Sequence, residues 1–329
     1  MIRSSHRRFL ASLGLALMLA AANLPFANAA NSGGNALRVS PVRTDVTINP
    51  GEHHTVTVYI TNVGNVAAHL QAIINDFTAS NDESGNPAII LDPTKFASSH
   101  SLKRLITPVP NFTLNGGQTK GIDVVINVPK NAVAGGYFGA VRFAPASTTK
   151  GQNQNVSLSG SVGSLILLKV PGDIKENVTI VSFDARKNDS PNTIFFSNKG
   201  ITANVRFRNA GNIQEEPFGK ILLKNRSGKV LASYEINNET PPGEVLPDSI
   251  RKFTAHLKKV GSFGEFKIEG NFGYGSSGQL LSGSTTFYVI PVWLILAVLG
   301  VIALVLFLVF GLPKLVKAYN DRVLRKAGK

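Results

Sequence analysis

Val58-Tyr59-Ile60-Thr61-Asn62-Val63-Gly64-Asn65-Val66 recurs as Val205-Arg206-Phe207-Arg208-Asn209-Ala210-Gly211-Asn212-Ile213, an offset of 147 residues. In each copy apolar residues hold every second position and then meet Asn-x-Gly-Asn. A period of two places Val58 and Ile60, or Val205 and Phe207, on one face of a strand, and Asn and Gly suit the turn that follows. A core strand that runs into the same turn twice, one domain length apart, predicts two copies of one kind of domain.

The alternation extends outward from the repeat. Val56 joins Val58 and Ile60 on the inner face of 55–61; Ile122, Val124, Ile126 and Val128 do the same in 121–128, and Phe266, Ile268 and Phe272 in 265–272, with Phe253 expected inside beside them. Such runs read as half-buried antiparallel strands. Turn residues separate them at Asn49-Pro50-Gly51, Asn115-Gly116-Gly117, 225–228 and Pro241-Pro242-Gly243. One segment, 93–105, departs from the pattern and is the one candidate for a short helix that interrupts the sheet. Short strands with Gly, Pro and Asn turns predict an all-β fold of two tandem Ig-like β-sandwich domains, 36–170 and 171–289.

The ends of the chain read differently. Residues 1–29 carry a basic start (Arg3, Arg7, Arg8), an apolar run over 9–22 and Ala27-Asn28-Ala29, the layout of a signal peptide. A Gly/Ser/Asn lead-in over 30–35 is expected to be disordered. Near the other end, Val292 to Leu312 holds no charge and at ~1.5 Å per residue is long enough to span a bilayer once. The expected transmembrane helix is 290–312, bracketed by Pro291 and Pro313, with Trp293 at the membrane edge. Lys314, Lys317, Arg322, Arg325 and Lys326 then form a basic tail over 313–329. Basic residues next to a span favour the cytoplasmic side, so a single-pass type I protein of the cell membrane is expected, with its body outside. The tail serves as a stop-transfer signal, contacts anionic lipid, or both.

This layout accounts for the charge. The formal net charge is +14, and more than half of it sits in the two terminal segments, so the excess does not indicate a nucleic-acid surface. The chain has no Cys, which removes disulfide scaffolds, thiolate metal sites and Cys nucleophiles.

Several stretches together resemble the WxL-interacting protein family of Gram-positive cell-surface proteins. They are 42–62, 115–128, Gly135-Gly136-Tyr137-Phe138-Gly139-Ala140-Val141, 204–212 and 218–234. The resemblance implies a signal peptide, two Ig-like domains, a C-terminal span and a basic tail. It further implies a first domain tied to peptidoglycan and a second tied to host or partner proteins.

Residues that carry chemistry are sparse. Gly273-Tyr274-Gly275-Ser276-Ser277-Gly278 fits G-x-G-x-x-G, but no helix or spaced acid follows it, so a hairpin turn is expected. His53, His54, His69, His100 and His256 lack metal-site spacing. Asp76, Asp82, Glu83 and Asp92 lie around Ser84-Gly85-Asn86, where loop oxygens could meet Ca²⁺, although a solvated turn explains them as well. Asp82, Glu83 and Asn86 are the candidate ligand-binding residues, and the loops 82–87 and 148–155 the candidate contact surfaces. No catalytic residue, metal or cofactor is expected. The sequence thus points to a non-catalytic, membrane-anchored binding or adhesion protein, with a cell-wall polymer or a surface protein as partner and no nucleic acid. The alternative is a membrane-tethered accessory subunit that recruits an enzyme or transport complex.

Overall fold

The computed structural model describes residues 37–146 and 160–328. The expected signal peptide 1–29 and lead-in 30–35, the loop 148–155 and the side chains of Arg325 and Lys326 lie outside the described residues. The rest is two β-sandwiches followed by one long helix, and the all-β fold class expected from the strand periodicity is what forms.

The first sandwich contains β1 (Leu37–Ser40), β2 (Arg43–Thr47), β3 (His53–Asn62), β4 (Ala68–Ala79), β5 (Pro87–Ile89), β6 (Phe112–Leu114), β7 (Thr119–Asn127), β8 (Gly135–Pro145) and β9 (Val162–Val170). One sheet has the order β1-β3-β7; the other runs β2-β9-β8-β4-β5, with β6 also on β4. β2 pairs with β9 in parallel and is an edge strand. Val56, Val58 and Ile60 of β3 and Ile122, Val124 and Ile126 of β7 are all buried between the sheets, as alternation requires.

The second sandwich contains β10 (Val178–Lys187), β11 (Ser190–Pro191), β12 (Ile194–Phe195), β13 (Ile201–Asn209), β14 (Phe218–Asn225), β15 (Val230–Ile236), β16 (Ile250–His256), β17 (Gly264–Tyr274) and β18 (Gln279–Val289). Its sheets are β11-β10-β13-β16 and β12-β18-β17-β14-β15. Phe207 meets Phe272 edge-on at 5.0 Å, and Phe266 stacks on Phe287 at 5.7 Å. Each such pair adds about 1 kcal/mol beyond its area burial. Phe253, expected inside, is only half-buried. It lies on the edge strand β16, where Phe207 covers one side and the Arg251 guanidinium approaches its ring at 5.1 Å.

The repeat has a physical basis in its Asn. Asn62 Nδ2 donates to the carbonyls of Val66 (2.7 Å) and Leu114 (3.2 Å), and its Oδ1 accepts from Gly64 N (3.0 Å). Asn209 makes the same three bonds: to Ile213 O (2.6 Å), to Val245 O (2.8 Å) and from Gly211 N (2.8 Å). Both side chains are fully buried. Each one closes its turn and ties it to a neighbouring segment, satisfying backbone groups that water cannot reach. Gly211 is required as well: a Cβ there would sit 2.1 Å from the Lys175 carbonyl oxygen.

Residues 93–105 do not form the candidate helix; they run as turns and bends. The cause is Asp76, fully buried on β4. Its carboxylate accepts from Ala97 N (2.9 Å), Ser101 Oγ (2.7 Å) and Lys103 N (2.8 Å). Backbone donors given to a buried carboxylate are not available for helical i→i−4 bonds, and the segment wraps around the charge instead.

The helix begins two residues after β18. It runs as α1 (Val292–Leu306), one π turn (Phe307–Gly311) and α2 (Leu312–Ala327). No residue of α1 or of the π turn is buried, and the helix is long and apolar enough to cross a membrane, with a mean hydropathy of 3.2 over its most apolar stretch. The helix continues through Pro313, which brackets the uncharged stretch. The π turn opens the hydrogen-bond ladder just ahead of Pro313, with Leu312 N donating to Phe307 O, so a residue without an N–H is accommodated near the start of the next segment.

Asn209→Ala should cost on the order of 3 kcal/mol, because three bonds go and two carbonyls are left buried without donors. Asn62→Ala should cost about as much, and Lys220→Ala, on the exposed face of β14, about 0.5 kcal/mol or less. Thermal or chemical denaturation of the three variants checks this.

Candidate functional site

The two sandwiches meet at a joint to which three sets of contacts contribute besides the Arg43 bonds described below. Asn212, next to the Asn209 turn, accepts from Gly136 N through its carbonyl (2.8 Å) and donates from Nδ2 to Ala134 O (3.1 Å). Gly135 gives this contact its room: its φ is +143°, and a Cβ would lie 2.6 Å from the Asn212 carbonyl oxygen. Leu246 of the second sandwich packs against Phe77, Phe138, Ala140 and Leu167 on the outer face of the first.

The third set is the loop between β4 and β5. Glu83 accepts from Arg206 Nε at 2.6 Å and also pairs with Nη2, while its carbonyl accepts from Lys252 N at 2.8 Å. Glu83 adopts φ +59°, a left-handed backbone that costs a non-glycine residue about 1 kcal/mol or more. The Arg206 hydrogen bond pulls the Glu83 carboxyl below its ordinary pKa, more than its burial raises it. Gly85 lies against the Arg251 guanidinium. The loop 82–87 is therefore not a free tip, as its composition suggested; it docks on the second sandwich through Glu83. Asp82 and Asn86 remain exposed beside the joint. Asp82 accepts from the Ser80 hydroxyl and from Ser84 N (3.0 Å), which hold its pKa at about 2.

The carboxylates that cluster in sequence do not converge. Asp76 pins residues 97–103, Glu83 pairs with Arg206, and Asp92 closes its own turn onto Thr94. Among the described residues no three His, Asp or Glu groups are arranged to hold a metal. Residues 275–278 form the turn between β17 and β18, with Gly278 N donating to Gly275 O (3.2 Å). Of the anchor residues, Val292, Trp293, Leu312, Lys314, Lys317 and Arg322 are all exposed along the helix.

The feature that stands out is a cleft of roughly 640 Å³ beside the joint. The β2–β9 edge of the first sandwich forms one wall, and Glu176, residues 213–218, residues 241–244 and the 275–276 turn form the other. Its charges are Asp45, Glu176, Glu215, Glu216 and Glu244 against Arg43 and Lys169. The body is mildly basic, so this concentration of acid is local.

Arg43 is already engaged. Its guanidinium donates to Glu244 (2.5 Å), Asp45 (3.0 Å) and the Pro242 carbonyl (3.3 Å), with Glu216 at 3.5 Å. Burial works against its charge, but the Asp45 hydrogen bond and the fields of Glu244, Asp45 and Glu216 hold it above its ordinary pKa. Burial pushes Glu244 up to about 8, against the pull of Arg43. Glu176 accepts from Ser276 N at 3.0 Å.

Glu215 is different. It is 4% exposed, its backbone bridges to Val245, and among the described residues its Oε1 has no hydrogen-bond partner. Burial, aided by Glu176, raises its pKa to about 7. The cleft lining holds no His and no Cys, and Ser276 meets Glu176 through its backbone N–H. Chemically the arrangement suits recognition of a cation: Glu215 and Glu216 carry acceptor capacity that Arg43 does not use up. Phe218 lines the cleft and is 57% exposed; with Leu280, 85% exposed, it also lines an adjoining apolar groove.

Sequence reasoning missed this site because its members run from position 43 to position 276 and share no spacing. The one available signal was Glu215-Glu216, adjacent acids in a basic body directly after the repeat turn.

No family model matches the chain, and no curated protein matches it. Solved structures do match, at a distance. A chaperone–tip adhesin complex of CFA/I fimbriae biogenesis is 11% identical with a TM-score of 0.38, covering 78% of this chain and 99% of that one. The E. coli chaperone DraB is 15% identical with a TM-score of 0.32, covering 77% and 97%. The CsuC–CsuE chaperone–tip subunit complex of Acinetobacter baumannii is 14% identical with a TM-score of 0.35, covering 75% and 97%. These are distant likenesses between β-sandwich folds.

The raised pKa of Glu215 has a definite sign in stability. Between pH ~4.5 and ~7 the folded chain holds a proton that the unfolded chain has lost, so stability falls as pH rises through that window. Glu215→Gln should flatten this part of the profile and raise stability at pH 8 by about 1–3 kcal/mol. Thermal scans of both proteins in detergent from pH 4 to 9 measure it; an unchanged slope would remove Glu215 from the account.

Proposed function

We propose that this chain is a non-catalytic binding protein of the cell envelope, anchored by its C-terminal helix, that receives a cationic segment of a partner in the cleft between its sandwiches. The observation that carries the reading is Glu215: a buried carboxyl with a free oxygen, beside Glu216, at the back of an acidic cleft. A Lys or Arg side chain, or another primary amine, would complete those acceptors. Exposed Phe218 and Leu280 in the adjoining groove favour a polypeptide over a bare glycan, since they offer apolar contact beside the cleft. A surface protein is therefore the preferred partner, and a wall polymer bearing free amines is the other candidate. The resemblance to WxL-interacting proteins agrees with either.

In this reading the sandwiches divide at 170/171, residues 1–29 direct export, the body lies outside the membrane, and the tail from Lys314 lies inside. The two-residue link between β18 and the helix supports a fixed body close to the bilayer.

Two experiments test the reading. Full-length protein in detergent, mixed with isolated wall and separately with the secreted protein fraction, should capture its partner from the latter. Glu215→Gln/Glu216→Gln should lower capture at least about tenfold, as expected for losing charge-assisted bonds, and wild-type capture should weaken below pH ~7 as Glu215 protonates. Equal capture by both proteins would overturn the cleft as the site. A stoichiometric enzyme or transporter that copurifies regardless of the cleft would instead make the chain an accessory subunit. For topology, protease added to intact cells should remove the body and spare a tag after Lys329; a degraded tag would reverse the orientation.

A further inference from the structure

One end of the second sandwich is set against the start of the helix. β18 ends at Val289, and α1 begins at Val292. The strand registers place the other connections at this same end. Gly264 of β17 pairs with Val289, Asn225 of β14 with Phe266, and Phe195 of β12 with Val289, while Thr202 of β13 pairs with His256 of β16. Three loops therefore surround the point where the helix departs: 196–200, 225–229 and 257–263. Leu294, in the first helical turn, lines one groove together with Arg226, Phe263 and Tyr288.

These loops have a distinct composition. They carry Lys199, Arg226, Lys229, Lys258 and Lys259, all exposed and none in an ion pair among the described residues. Elsewhere on the body, cations such as Arg206, Lys224 and Lys267 are paired with carboxylates. Two acids lie nearby: Asp189 is turned onto Lys252 at 3.4 Å, and Glu265 sits half-buried at the start of β17. Between the cations stand Phe196 and Phe263, 58% and 63% exposed, with Tyr288 and Trp293. The loops are held in place: Asn198 Nδ2 donates to Val260 O (2.9 Å), Lys258 N donates to the Tyr234 hydroxyl (2.7 Å), and Ile290 N donates to Phe195 O (2.8 Å).

We propose that this end of the second sandwich is a membrane-docking foot, whose five unpaired cations hold the phosphates of anionic phospholipid headgroups while Phe196 and Phe263 enter the interfacial layer. The inference rests on the helix as a membrane span. If Val292 opens the span, a base that shares a groove with Leu294 lies within about one helical turn, ~5 Å, of the hydrocarbon edge. Aromatic rings and Lys or Arg are the residues that favour that layer. The proposal holds whichever side of the membrane the body occupies, because the base faces the adjoining leaflet in either case.

The chain has no Cys and a single Trp, Trp293. Full-length Ser262→Cys and Ser227→Cys at the foot, and Ser277→Cys at the opposite end, can each carry one fluorescent label without background. The proteins are reconstituted in phosphatidylcholine vesicles with and without phosphatidylglycerol. With phosphatidylglycerol, labels at 262 and 227 should be shielded from acrylamide about fivefold relative to 277 and quenched by headgroup-nitroxide lipid. Lys199→Glu/Arg226→Glu/Lys258→Glu/Lys259→Glu should abolish the shielding, and high salt should weaken it. Equal accessibility at 262, 227 and 277, or equal shielding in phosphatidylcholine alone, overturns the foot. Trp293 separates the two readings: quenching of Trp293 by nitroxide lipid with exposed labels at 262 and 227 leaves the span standing and removes the foot, whereas an unquenched Trp293 removes both.

Discussion

The Asn209 side chain is the interaction on which the arrangement of this molecule depends. Its amide uses donor and acceptor alike on buried backbone, and its three bonds set the shape of the turn through Ile213. That turn delivers Asn212 to the first sandwich and Gln214, Glu215 and Glu216 to the cleft. One buried amide thus positions both the joint and the acid pair. Its counterpart Asn62 makes the same bonds, but its turn lies within the first sandwich, where Gly116 comes close to the Asn65 backbone. Equivalent chemistry builds a packed turn in one copy and a contact between the sandwiches in the other.

Charge is distributed unevenly along the body. The end of the second sandwich nearest the helix presents unpaired cations, and the end nearest the first sandwich presents carboxylates whose pKa values are raised by burial. The cost of burying these acids is offset only in part by Arg43, which already satisfies Asp45 and Glu244. A region that carries such a cost without a compensating partner is where function is expected.

Strand alternation made the fold legible because half-buried sheets impose a period of two on the sequence, as in β3 and β7. The Asn-x-Gly-Asn repeat was readable for a similar reason: two of the three bonds of each Asn are local, from residue i to i+2 and i+4. The cleft was not readable, because Glu176, Glu215 and Glu244 come together only when the second sandwich folds, and Arg43 joins them only when the two sandwiches dock. The loop at Asp82, Glu83 and Asn86 showed the same difficulty in reverse. Its polar composition suggested a solvated tip, yet Glu83 had a partner 123 positions away in Arg206. The missing helix at 93–105 has the same origin, since no local pattern reveals that Asp76 will be buried and will claim that segment's donors.

The short link between β18 and the helix also has a mechanical meaning. Ile290 and Pro291 leave no slack, and Ile290 is bonded back to Phe195. β18 spans Gln279–Val289, at ~3.3 Å per residue about 36 Å of straight strand, with the cleft's 275–276 turn just beyond its far end. With the helix as the proposed membrane span, the acidic cleft would be carried at a set height above the lipid, in the manner of a gauge. In the proposed reading, a partner too short to reach that level, or one lying flat on the membrane, would pass beneath it, and reach as well as charge would decide which partners bind.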